Sequence, residues 1–298
     1  MVEYYDAITG VTLSNFIDKK LIKIWDGIKD GKLKEKNEDR VYLVDGREGS
    51  GKSFWTFQQA KYLDPTFSVK DIHFLPEKFL EALRTAPPGK VIVFDEAFKG
   101  LSSKGSRSKI NKAIVEALME SRKRGLIIFI VLPTFFLLEI YAAVFRSEAL
   151  FHIYKLKKTT GSGERRRAFK IYNYNKKMQL YLRGKNKYFS YSYPRIRMAK
   201  GMFIVSTRED KQKVPYITFE LEEYNKKAAE AFSNFGEKEE KESDKFQEAY
   251  YNAIRVLVDN LGSMGKAAKA LTEYGNPISQ VRISQIYSEK GWKIGQKP

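Results

Sequence analysis

Cysteine is absent from this chain of 298 residues. Its absence excludes disulfides, thiolate metal sites and cysteine nucleophiles. Histidine is nearly absent too. Only His73 and His152 could offer an imidazole, which argues against a structural zinc site. Acid is short relative to base: 36 Asp and Glu stand against 54 Lys and Arg, a formal net charge of +18. A surplus of that size attracts a polyanion, either nucleic acid or an acidic membrane surface. The first residues, Met1 to Asp6, show neither the basic flank nor the apolar core of a signal peptide, so none is expected. One stretch, 126–145, comes near a membrane span, but Pro133 and Thr134 break it and Glu139 is costly in lipid. A buried strand followed by a helix accounts for it, and no membrane span is expected. No internal repeat is visible.

What is present alternates. Leu13, Phe16, Ile17, Leu21, Ile24, Trp25 and Ile28 recur at helical spacing and predict an amphipathic helix with a lysine-rich outer face. Residues 41–44 are an apolar run closed by Asp45 and Gly46, which reads as a buried strand. Helices are predicted over 54–63, 77–86 and 109–124, and further buried strands over 91–94 and 126–132. Strands alternating with helices predict an α/β fold whose mostly parallel sheet is covered on both faces. Near residue 150 the texture changes. The stretches 151–156, 168–174, 178–183 and 187–193 are short, aromatic and β-prone, and predict a basic antiparallel β-rich insertion. Helix returns over 219–235, the charge run 237–245 reads as a linker, and three helices are predicted over 246–261, 266–274 and 279–290. The expected divisions are a lead-in helix (1–40), a core (41–155), a basic β-rich segment with its return helix (156–235), a charged linker (236–245) and a C-terminal three-helix module (246–298).

The most specific signal is the octet Gly46, Arg47, Glu48, Gly49, Ser50, Gly51, Lys52 and Ser53. It has the form G-x4-G-K-S between a strand and a helix that continues with Phe54, the context of a P-loop core. Its glycines let the backbone wrap around phosphates with N–H groups inward. Lys52 suits the β- and γ-phosphates of ATP, Ser53 suits Mg2+, and the helix dipole favours the anion. An ordinary glycine-rich turn is the alternative, and a second motif weakens it: the apolar strand 91–94 ends in Asp95 and Glu96. Asp95 is expected beside the first strand, holding the water shell of Mg2+, and Glu96 is expected to polarise the attacking water as general base. A kinase must avoid activating water, so the adjacent Glu96 favours hydrolysis. Thr134, after the third buried strand, is either a sensor of the γ-phosphate or a plain turn residue beside Pro133. Arg122, Arg124 and Arg146 are candidate arginine fingers supplied by a neighbouring subunit. Arg146 is preferred, because it interrupts an apolar segment.

These residues resemble a family. The octet, Asp95 with Glu96, the helix end at Arg122, Lys123 and Arg124, and the stretch 128–138 with Pro133 and Thr134 resemble the additional-strand P-loop ATPases of viruses and plasmids. FtsK/HerA-like DNA-pumping ATPases and zonula-occludens-toxin-like phage ATPases are the relatives to name. The resemblance covers residues 40–155. It implies a homo-oligomeric, ring-forming motor, often hexameric, that uses ATP and Mg2+ and places fingers between subunits. Two features depart from it. FtsK/HerA enzymes usually end the sensor strand in Gln, where this chain has Thr134. Zonula-occludens-toxin-like proteins commonly carry a membrane span.

Charge is unevenly spread. Between residues 155 and 213 eighteen Lys and Arg face Glu164, Glu209 and Asp210, so this segment carries most of the +18. Aromatic residues interleave with the basic ones, as in grooves that track phosphates and stack bases. Arg165, Arg166 and Arg167 follow Gly161, Ser162 and Gly163 and read as a basic hairpin tip for DNA. The alternative is a β-domain whose aromatics are its core. Farther on, 265–287 resembles a helix-turn-helix with Ser279, Gln280, Arg282 and Gln285 toward a major groove, or else a generic docking module. The expectation is an ATP-hydrolysing, DNA-handling motor or switch of a virus or plasmid, acting in translocation, packaging or partition. Its expected place is the host cytoplasm or the virion. The rivals are a virion-assembly ATPase acting on protein or membrane, and a P-loop kinase with Arg165, Arg166 and Arg167 as its lid.

Overall fold

The computed structural model describes residues 2–8, 10–15, 17–29, 33, 38–95, 112, 114–116, 118–119, 121–159, 165–184, 186, 189–191, 198–203, 221–273 and 276–295. They fall into two compact units, Met1–Ala229 and Glu230–Pro298.

The first unit is built on a seven-stranded mixed sheet, so the fold is α/β. Its strands are β3 (Arg40–Asp45), β4 (Ile72–His73), β5 (Val91–Phe94), β6 (Ile127–Leu132), β7 (Ala149–Thr159), β8 (Arg165–Tyr172) and β9 (Ala199–Phe203), in the order β4-β5-β6-β3-β7-β8-β9. The pairs from β4 through β7 are parallel, and β7–β8 and β8–β9 are antiparallel. The buried runs Val91–Phe94 and Ile127–Leu132 occupy the interior of the sheet, where both faces are covered. Alternation along the strands sorts their side chains. Val41, Leu43, Ile128, Ile130, Leu132, Ile92 and Phe94 join one core. On the other face Tyr42, Phe129 and Phe151 gather around Trp25, whose ring centroid lies 5.0 Å from that of Tyr42. The helix α2 (Lys52–Leu63) is buried along its length from Trp55 to Leu63, and α3 (Pro76–Thr85) adds Phe79 and Leu83 to the first core.

Several expected boundaries change. The lead-in helix is shorter than its apolar spacing predicts. Val11–Asn15 is strand β2, antiparallel to β1 (Val2–Asp6), and α1 (Lys19–Asp26) begins where the Asp18 carboxylate accepts from the Lys20 N–H at 3.0 Å. Branched Val11 and Thr12 favour the strand, and the capping carboxylate sets the helix start. The predicted antiparallel β-rich segment is present as β7 to β9, and it extends the core sheet because β7 pairs directly with β3. Residues 178–183, read as strand, are helical: α4 (Tyr174–Gln179) leads into the π-helix Leu180–Gly184. Of 187–193, only Phe189 to Tyr191 lie among the described residues, and none of these is strand. The helix expected after Pro133 is a short 3-10 turn, Phe135–Leu137, and a π-helix, Tyr141–Arg146. Of 109–124, the described residues 112, 114–116 and 118–119 are helical, as expected, and Ser121–Arg124 is 3-10. The expected linker is helical. α5 (Leu221–Leu261) runs through 236–245 without a break, since Glu and Lys are strong helix formers.

In the second unit, the end of α5 packs with α6 (Met264–Glu273) and α7 (Gln280–Glu289) around Ile254, Val258, Ala267, Ala268, Ile283, Ile286 and Tyr287. This is the predicted three-helix arrangement, and Ser279 caps α7 by accepting from the Arg282 N–H at 3.1 Å.

Lys177 on α4 is fully buried. Its ammonium caps the end of the π-helix, donating to the carbonyls of Ala143, Val144 and Ser147 and to the Ser147 hydroxyl. Burial pushes the Lys177 pKa down from 10.5 to about 7, with Glu148 opposing. Between those values the unfolded chain binds the extra proton, so the stability from this residue rises with pH across that window and its cost is fully present below about pH 7. The stability advantage of the parent over Lys177→Met should therefore grow between pH 7 and 9.5, on the order of 3 kcal/mol, as read by urea unfolding.

Candidate nucleotide site

The loop after β3 lies at the C-terminal edge of the parallel strands and opens α2. Two glycines are dictated by space and backbone. Gly46 has φ +144°, and a Cβ there would meet the Ile153 carbonyl oxygen at 2.2 Å. Gly51, at φ +94°, caps α2 in a left-handed conformation open to few other residues. Lys52 Nζ folds back on the loop, donating to the Gly46 carbonyl at 2.9 Å and the Arg47 carbonyl at 3.3 Å. The Ser50 hydroxyl is buried in the loop and has no hydrogen-bond partner among the described residues. The N-terminus of α2 adds its dipole. The loop thus brings the Lys52 ammonium and the start of a helix together, and its chemistry fits the phosphates of ATP.

Asp95 follows β5 and is 1% exposed. It does not stand beside the strand that feeds the loop, the place expected for it, because β6 lies between β5 and β3. The two strands are nevertheless brought to one point. The Tyr224 hydroxyl on α5 lies 3.1 Å from Ser53 Oγ and 2.9 Å from Asp95 Oδ2. Two oxygen ligands aimed at one position from these two motifs fit Mg2+ with its waters.

A third group was not foreseen. Asp45, the last residue of β3 and fully buried, accepts from the Phe135 N–H at 2.9 Å and from the Tyr191 hydroxyl, and bonds His152 Nδ1 at 2.8 Å. Tyr191 stacks on His152 with centroids 4.0 Å apart. Burial, with the Asp45 charge and hydrogen bond behind it, pushes the Tyr191 phenol well above its ordinary range, so it stays protonated. The phenol proton goes to Asp45. Thr134 Oγ1, 2.8 Å from the Tyr191 oxygen, must then be the donor of that pair, which keeps its own lone pairs for acceptance. Asp45, His152 and Tyr191 carried no motif. The one signal was an acid closing an apolar strand directly before the phosphate loop.

The remaining expectations divide. Glu96 lies outside the described residues, as do the side chains of Arg122, Arg165 and Arg166. Arg124 donates to the carbonyls of Leu83 and Ala86. Arg146 is not at the loop. It precedes β7, at the opposite end of the parallel strands, where its guanidinium pairs with Asp39 and its Nε donates to the Leu118 carbonyl at 2.8 Å. Its polar role in an apolar segment is met by that pair, and the finger expectation gains no support. Arg167 is not at a hairpin tip either. Its Nη1 lies 2.8 Å from where a Cβ on Gly51 would stand, and Lys155 Nζ lies 3.7 Å from the same point on Gly49. Arg282 and Gln285 share α7, where Arg282 bonds Gln285 Oε1 and Glu289 Oε1, each at 3.3 Å, and the Tyr251 hydroxyl at 3.2 Å. Among the described residues no helix is long and apolar enough to cross a membrane.

The strand–loop–helix, with an acid closing the next strand but one in the sheet, defines a P-loop nucleotide-binding fold. No protein-family model and no curated protein sequence matches this chain. Solved structures do resemble it. The N-terminal domain of zonular occludens toxin from Neisseria meningitidis is similar over 57% of this chain and 95% of its own, at 13% identity and a TM-score of 0.30. The ATPase DotB of Legionella pneumophila is similar over 57% of this chain and 53% of its own, at 12% identity and a TM-score of 0.34. For DotB of Yersinia pseudotuberculosis the shares are 60% and 56%, at 15% identity and a TM-score of 0.34. The chain thus matches about half the length of each DotB ATPase. Likenesses of this size leave function to be argued from the residues themselves.

Proposed function

We propose that this chain is a magnesium-dependent ATP hydrolase that couples turnover to the handling of DNA. The carrying observation is the convergence of Ser53 Oγ and Asp95 Oδ2 on one point beside the phosphate loop. In this reading Lys52 leaves the Gly46 and Arg47 carbonyls for the β- and γ-phosphates, and the loop N–H groups hold the phosphate oxygens. Ser53 and, through water, Asp95 would hold Mg2+, which when bound offsets the charge developing on the transferred phosphate. Glu96 takes a proton from the attacking water. Thr134, with its lone pairs kept for acceptance, accepts from that water and helps to aim it. Arg167 and Lys155 bring two cations to the rim of the loop in the same chain, a placement suited to nucleotide phosphate.

The DNA component rests on the charge concentrated in 155–213, and the motor, the ring and the viral or plasmid origin rest on the family resemblance. The test is Mg-ATP hydrolysis by size-fractionated protein, with and without single- and double-stranded DNA. Hydrolysis stimulated by DNA in an oligomeric fraction is expected. Neutralising Arg165 and Arg166 together should weaken binding to unrelated duplexes alike and flatten the salt dependence by about two ions. An unchanged slope removes these residues from the DNA path. Absence of DNA binding at low salt would transfer the reading to a virion-assembly ATPase.

A further inference from the structure

The first turn of α5 brings into the candidate metal site a residue that belongs to no motif. Tyr224 is 9% exposed, and its ring packs edge-on against Phe74 with centroids 5.2 Å apart. One turn on, Lys227 Nζ donates to the carbonyls of Val69 at 3.0 Å and Lys70 at 2.9 Å, so the start of the helix is tied at two points. The Tyr224 hydroxyl stands 3.1 Å from Ser53 Oγ and 2.9 Å from Asp95 Oδ2. Ligands of octahedral Mg2+ lie about 2.0–2.1 Å from the ion, which sets neighbouring ligands about 3 Å apart. The phenol oxygen therefore has the spacing from Ser53 of a second ligand. From Asp95 it has the spacing of a hydrogen-bonded water.

We propose that Tyr224 takes the place of the metal-bound water that Asp95 would hold, so that this contact and Mg2+ exclude one another. Tyr224 thereby sets the metal affinity of the site. The inference rests on the ATPase reading. A protonated phenol offers one neutral oxygen and satisfies both Ser53 and Asp95 by hydrogen bonding, which keeps the acid and the hydroxyl paired until the metal arrives. Metal entry must break two hydrogen bonds and move the ring off Phe74. The start of α5, residues 221–229, should loosen when it does.

The experiment is calorimetric titration of ATP with and without Mg2+ into the full chain, its Tyr224→Phe variant and its Lys227→Ala variant, together with hydrogen exchange over 221–229. Tyr224→Phe should tighten ATP binding in Mg2+ about tenfold and leave Mg-free binding unchanged. Lys227→Ala, which frees the same helix start without touching Ser53 or Asp95, should act in the same direction. In the parent, Mg-ATP should raise exchange over 221–229, whereas in Tyr224→Phe exchange there should be high from the start. If Tyr224 were instead a metal ligand, Tyr224→Phe would weaken Mg-dependent binding, and that result overturns the proposal. So does an unchanged magnesium dependence in both variants with normal ATP binding. A parent that binds no ATP in either condition removes the ATPase reading itself, a result distinct from the other two.

Discussion

Glu96→Gln is expected to bind Mg-ATP as tightly as the parent and to hydrolyse it about 10²–10⁴-fold more slowly. The amide keeps the size of the side chain and can still hold a water, but it cannot take that water's proton. Its partner variant, Lys52→Ala, should instead lose binding. The phosphate charge then loses the one ammonium carried by the loop itself. Measuring affinity and single-turnover hydrolysis separately divides the two roles. Parental hydrolysis by Glu96→Gln would show that the base is another residue. Glu96 directly follows Asp95 in the chain.

Arg146→Ala is expected to cost stability rather than to break catalysis between subunits. Asp39 is 3% exposed at its side chain and Arg146 15%, and the pair is completed by the Ser121 hydroxyl, which donates to Asp39 at 3.0 Å. Removing one partner leaves a buried carboxylate without its counter-charge, a change worth about 3–5 kcal/mol. Chemical unfolding should show that loss, and Asp39→Ala should show a similar one. Mixing Arg146→Ala with Glu96→Gln chains should not restore activity. If Arg146→Ala unfolds like the parent and the mixture does regain activity, the arginine acts across an interface after all.

The parts legible in the sequence were those whose signal is local. The phosphate loop announced itself through glycine spacing. Both strand ends bearing Asp45 and Asp95 were visible as apolar runs closed by an acid, and the helices of the second unit as apolar spacing around Ala267 and Ala268. Where the reading failed, a local preference was settled by a distant partner. Val11–Asn15 carries the apolar residues of a helix and became a strand because Val2–Asp6 offered a ladder to pair with. Residues 178–183 look like strand, yet they are helical and Lys177 beside them caps the carbonyls of another helix.

By itself the sequence determined a P-loop at Gly46 to Ser53 and an apolar strand ending in Asp95, because the glycines, lysine and hydroxyl of the loop lie within a few residues of one another. Only the tertiary structure decided that β6 separates the two motif strands and that β7 to β9 extend the same sheet. It alone set Arg146 against Asp39, Arg167 over Gly51 and Tyr191 on Asp45. It also set Tyr224 between Ser53 and Asp95, 171 and 129 residues away in the chain. Such pairings follow from sheet order and from the path of α5. A side chain that satisfies a buried acid at that range leaves no periodicity or spacing in the sequence by which it could be found.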